Sequence, residues 1–68
     1  METKANSPYD AIKRHLEEVR YEGVDRLQKV VRGSGFDVGI EIIYSILRNM
    51  EGAGEIRRTG DVVEWIGT

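Results

Sequence analysis

The chain has 68 residues, with no cysteine, one histidine, and 10 Lys and Arg against 12 Asp and Glu for a formal net charge of -2. Such a length holds one domain with a single small core, which buries only about 60% of the surface that the unfolded chain exposes. Without cysteine there is no disulfide framework or thiolate metal site, His15 alone falls short of the roughly four ligands of a zinc site, and no apolar run approaches the roughly 18 residues of a membrane span. The expectation is a soluble cytoplasmic protein with no metal, no cofactor and no contact with a membrane. Nucleic-acid binders commonly carry a basic excess, so any contact with DNA must come from a local patch.

Residues 1–6 are polar, offer little to pack and are read as a disordered arm, leaving residues 7–68 as the domain. Ser7, Pro8 and Asp10 then give three helix-start signals together: an N-cap, a proline at the first helical position, and an acid three residues after the cap. The first helix carries an apolar stripe of Ile12, Leu16 and Val19, with Tyr9 at its margin and Lys13, Arg14, Glu17 and Glu18 toward water, and it is expected to end near Arg20 or Tyr21. Glu22-Gly23-Val24 breaks the pattern and suits a very short strand filled by Val24, after which Asp25 caps a second helix. That helix turns Leu27, Val30 and Val31 inward and Arg26, Lys29 and Arg32 outward, and Gly33-Ser34-Gly35 ends it.

Phe36 is expected to anchor the turn, with Asp37 capping a third helix that runs to about Gly52. At 100° per residue Ile40, Ile43, Ile46, Leu47 and Met50 gather on one side and Asp37, Glu41, Tyr44, Arg48 and Glu51 on the other, with Ile42 off the main stripe. Gly52 and Gly54 let the chain reverse into a β-ribbon. A two-residue turn at Thr59-Gly60 sets Arg58 opposite Asp61, Arg57 opposite Val62 and Ile56 opposite Val63, and so places Ile56, Val63 and Trp65 on one face toward the helices. The fold class that follows is α+β: three helices and a C-terminal two-stranded hairpin.

The order helix, short strand, helix, glycine-containing turn, helix, strand, turn, strand resembles the winged helix-turn-helix superfamily. The stretch Ile46-Leu47-Arg48-Asn49-Met50-Glu51-Gly52-Ala53-Gly54-Glu55-Ile56 looks like that superfamily's common passage from third helix to wing, and the likeness spans about residues 7–66. The acidic balance and plain wing are similar to the small winged helices at the ends of archaeal replication proteins. The resemblance implies a non-enzymatic protein of transcription regulation or replication, which holds either double-stranded DNA or a partner protein.

In a DNA reader of this shape the third helix enters the major groove and basic wing residues meet phosphate. Here the third helix offers Tyr44 and Arg48, with Ser45 and Asn49 beside them, the wing offers Arg57 and Arg58, and Lys29 and Arg32 on the second helix are placed to hold backbone phosphates. The carboxylates Asp37, Glu41 and Glu51 on the same helix oppose a polyanion. A protein partner, or a second copy forming a homodimer, is the alternative, with Ile42, Tyr44 and Ile66 as an apolar spot, although Ile66 also suits the base of the ribbon. Catalysis has no support, since His15 has neither cysteine nor an evident serine partner, and Gly33, Gly35 and Gly39 read as turn residues rather than a phosphate loop.

Overall fold

The computed structural model of the protein describes residues 5–67; residues 1–4, most of the expected arm, lie outside the described residues, as does residue 68. In chain order the elements are α1 (Pro8–Val19), β1 (Tyr21–Gly23), α2 (Val24–Gly33), α3 (Ile40–Gly52), β2 (Ile56–Thr59) and β3 (Val62–Trp65). The strands form one antiparallel sheet in the order β1-β3-β2, so β3 is central. This is an α+β arrangement compatible with a winged-helix layout, in which the short strand expected before the second helix is present as β1 and pairs with β3, so that the sheet has three strands rather than the two of the hairpin alone. No described helix is long and apolar enough to cross a membrane.

Helix α1 starts as its sequence dictates. The Ser7 hydroxyl accepts from the Asp10 N–H at 3.1 Å, which satisfies one helix-start donor, and the Asp10 carboxylate accepts from the N–H of Asn6, the residue before the cap, at 3.0 Å. The Asn6 bond, and then the Arg14 cation 3.0 Å away, hold the Asp10 carboxyl below its ordinary value. Of the expected arm, Ala5 instead packs against the core and Asn6 belongs to this cap. Replacing Ser7 with alanine should cost about 1 kcal/mol; a urea midpoint unchanged from the parent protein would show that the cap contributes nothing.

The buried residues of α1 are Ala11, Ile12 and Leu16, whereas Val19, expected on the same stripe, is exposed. The helix stops at Val19 because Arg20 takes a positive φ of 74°, its N–H bonding to the Leu16 carbonyl at 2.8 Å and its own carbonyl accepting from Trp65 at 2.8 Å. That bend delivers the chain into β1 one residue earlier than expected. Val24 does not fill the strand; it opens α2, fully buried, and its N–H donates to the Asp61 carbonyl at 2.9 Å. Asp25 is therefore not the cap of α2: Gly23 occupies that position without a side-chain bond, and the wing turn supplies the acceptor.

Helix α2 buries Leu27 and Val31 beside Val24, with Val30 half-buried. The segment after it differs from expectation, since the N-cap of α3 is Gly39, which makes no side-chain bond, rather than Asp37, and the helix begins at Ile40. Phe36 and Val38 both pack against the core, an in-out-in alternation that belongs to extended chain and delays the helix. Asp37 points out between them, where its carboxylate meets Arg32 Nη2 at 3.2 Å.

The hairpin register differs from expectation by two residues: Ile56 faces Trp65, Arg57 faces Glu64, Arg58 faces Val63 and Thr59 faces Val62, closing on a Gly60-Asp61 turn. The cause is Gly60, whose φ of 61° fits the first central position of a tight hairpin turn; the Thr59-Gly60 alternative would require threonine there. A two-residue slip preserves faces, so Ile56, Val63 and Trp65 are all buried as expected. It also puts Arg57 across from Glu64.

Glu55 is the acceptor for Tyr9, whose hydroxyl lies 3.0 and 2.9 Å from its two carboxylate oxygens and so ties α1 to the start of the ribbon. That bond first, then partial burial, then the charges of Glu55, Glu17 and Asp10 raise the phenol above its ordinary value of 10.0. A raised folded-state value means that the contribution is complete below the unfolded value and is lost as pH climbs through the folded one. In alkaline titrations followed by denaturant, the parent protein should therefore lose stability above pH 10.0 relative to Tyr9→Phe; parallel curves would contradict the assignment.

Candidate nucleic-acid interface

Helix α3 buries Ile43, Leu47 and Met50, keeps Ile40, Tyr44 and Ile46 half-buried, and exposes Glu41, Ile42, Ser45, Arg48, Asn49 and Glu51. At about 100° per residue Ser45 stands opposite the buried stripe, flanked by Glu41, Arg48 and Asn49. The outward ridge of the helix is thus Glu41, Ser45, Arg48 and Asn49, and Tyr44, expected on it, sits at its flank against the core.

What Tyr44 does is hold the wing. The guanidinium carbon of Arg58 lies 5.3 Å from the centroid of the Tyr44 ring, a cation–π contact worth about 0.5–1 kcal/mol at an exposed site. Strand alternation explains why Arg58 is the residue involved. It is paired with Val63 and shares the face of Ile56 and Trp65, the one turned to the helices, whereas Arg57 faces Glu64 on the other side of the sheet.

The six residues singled out from the sequence divide accordingly. Tyr44 and Arg48 lie one turn apart on α3, and Arg58 stacks over the first of them, so these three converge. Lys29 and Arg32 are exposed on α2, Arg32 paired with Asp37. Arg57 is separate: its Nη1 lies 3.9 Å from Glu64 Oε1, on the ribbon face opposite Arg58. Both ion pairs are at the surface, where such contacts are worth about 0–1 kcal/mol. Among the described residues Lys29, Arg48 and Arg58 make no ion pair.

Ser45 and Asn49 are more outward than Tyr44. Helical phase puts Ser45 opposite Ile43 and Leu47, so Ser45 and Asn49, expected beside Tyr44 and Arg48, are on the ridge itself. The carboxylates expected to oppose a polyanion are exposed, with Glu41 in the first turn of α3 and Glu51 in the last. Arg48 comes between them along the helix and Arg58 stacks over Tyr44, so the local charge of this surface is mixed, with its basic part formed by α3 and the adjoining wing.

His15 belongs to the scaffold. Its Nε2 lies 2.6 Å from Glu22 Oε2, with both side chains about a quarter exposed, so the pair joins α1 to β1 away from the α3 surface. No protein-family model matches this chain, and neither a curated protein nor a solved structure matches it.

Proposed function

We propose that the chain is a non-enzymatic member of the winged helix-turn-helix superfamily that binds double-stranded DNA through α3 and the wing, in transcription regulation or replication in the cytoplasm. The observation that carries this reading is Arg58 stacked over Tyr44, which joins the wing cation to the helix bearing Ser45, Arg48 and Asn49. Arg, Ser and Asn are side chains that form hydrogen bonds with base edges or phosphates, and the short wing supplies a cation at their side. Lys29 and Arg32 on α2 would add phosphate contacts, with Arg32 exchanging Asp37 for a phosphate at little cost because the existing pair is exposed.

The test is fluorescence anisotropy with a labelled duplex at two ionic strengths. Binding should weaken between about 50 and 200 mM salt with a shallow slope, since few cations converge here and each phosphate contact contributes about 0.9 to it. A duplex that does not bind at the lower salt overturns the proposal.

One observation favours a second reading. Ile42 is 49% exposed on α3 next to Glu41, a pairing suited to a protein partner rather than to phosphate. If Ile42→Glu leaves duplex binding intact while it abolishes capture of a protein partner, α3 serves the partner.

A further inference from the structure

The outer face of the sheet carries the two most exposed of the large hydrophobic side chains. Six large hydrophobic side chains are exposed among the described residues, and Tyr21 (62%) and Val62 (51%) are the most open of them. Tyr21 is paired with Glu64, and Val62 is the next residue but one on the same strand, so both share the face turned away from the helices. Ile66, also exposed, continues the alternation of Val62 and Glu64, and exposed Val19 closely precedes β1. The remaining side chains of this face are Thr59, Arg57 and Glu64.

The charges on this face identify the occupant. Arg57 and Glu64 stand side by side at 3.9 Å, Arg57 largely exposed, so the face is neutral: Glu64 lies on the central strand between Tyr21 and Arg57, and Tyr21 and Val62 form an apolar diagonal beside the charge pair. A polyanion or an acidic segment would gain from the arginine only what it lost to the glutamate. A second copy presents the same apolar pair, Tyr21 and Val62, and the same two charges. Under two-fold symmetry each interacting patch meets its own replica, so every arginine has a facing glutamate available.

We propose that two copies of this chain associate sheet on sheet through the outer face formed by Tyr21, Val62, Arg57 and Glu64. The ridge of α3 and the Arg58 side chain lie on the other side of the sheet and stay uncovered, so the proposal stands whether or not DNA is the ligand. Three strands about 4.8 Å apart and about 3.3 Å per residue long give a face of only roughly 14 by 13 Å before side chains are counted. This is well below the roughly 1,200 Å² of a stable interface, so the dimer is weak and forms only at high concentration.

Sedimentation equilibrium of the full chain from micromolar to millimolar concentration tests this. The mass should rise from one chain toward two, and Val62→Glu and, separately, Tyr21→Glu should hold it at one chain. Both positions are more than half exposed, so far-UV circular dichroism should be unchanged. Arg57→Glu and Glu64→Arg proteins should each remain monomeric alone and recover the dimer when mixed, a rescue that an ion pair within one chain cannot give. Monomer mass for the parent protein throughout, a dimer indifferent to Val62→Glu and Tyr21→Glu, or no recovery on mixing overturns the proposal.

Discussion

Replacing Trp65 with alanine should leave the protein largely unfolded at 25 °C. Trp65 is the one tryptophan, 4% exposed, and it closes the core from the central strand. Its indole is clamped from outside as well, since a Cβ on Gly67 would stand 3.0 Å from Cζ2 of the ring. Truncating a buried Trp costs about 3–5 kcal/mol, part of it lost transfer energy and part the cavity left behind. At about 0.05–0.15 kcal/mol per residue, a chain of this length has a total stability of the same order, so little remains after the loss. Far-UV circular dichroism with urea, rather than fluorescence, reads this variant. Trp65→Phe should retain the fold with a reduced midpoint, because an aromatic ring still fills most of the space. A Trp65→Ala protein with an unshifted midpoint would mean that the sheet does not close the core.

The second large effect falls on DNA. Arg48→Ala and Arg58→Ala should each weaken duplex binding by about 1.5–3 kcal/mol, the range for hydrogen bonds to charged groups, and each should make the salt dependence shallower by about 0.9. Arg57→Ala should have a much smaller effect, because that side chain lies on the opposite face of the ribbon beside Glu64. Tyr44 supplies an internal control. Tyr44→Phe keeps the ring under Arg58 and should bind like the parent, whereas Tyr44→Leu removes the platform and should approach the loss seen for Arg58→Ala. Equal losses for Arg57→Ala and Arg58→Ala would show that the wing acts only as diffuse charge.

Several of these features were legible in the residues themselves. The Ser7-Pro8-Tyr9-Asp10 start of α1 depends on local chemistry within four positions and is found as read. The periodic residues Ile43, Leu47 and Met50 bury as their spacing requires, and Ile56, Val63 and Trp65 share the core face although the register is two residues off. The two displaced helix caps have a common cause, which is that a contact beyond the helix start outranked a local preference. Asp25 and Asp37 are good caps, but the Val24 N–H is met by the carbonyl of Asp61, far along the chain, and Asp37 is drawn to Arg32.

Val19 has the right phase for the core, yet the Arg20 bend ends the helix before that phase can be used. The hairpin turn was readable in principle, since glycine belongs at the first central position of a turn with one positive φ, and Gly60-Asp61 obeys this where Thr59-Gly60 does not. The candidate site was the least legible part. Which of Arg57 and Arg58 faces the helices follows from strand alternation, but that Tyr44 would lie beneath Arg58 depends on how α3 meets β2, which no local pattern states.

Titration of the isotope-labelled protein with an unlabelled duplex, followed by two-dimensional 15N–1H NMR, tests the central claim most directly, because it locates the contact without any substitution. Amide shifts should concentrate at Ser45, Arg48, Asn49 and Arg58, with smaller ones at Lys29 and Arg32, and should diminish as salt is raised. Shifts confined to Tyr21, Val62 and their neighbours on the outer sheet face, or no shifts at any duplex concentration, would contradict a DNA-binding surface built from α3 and the wing.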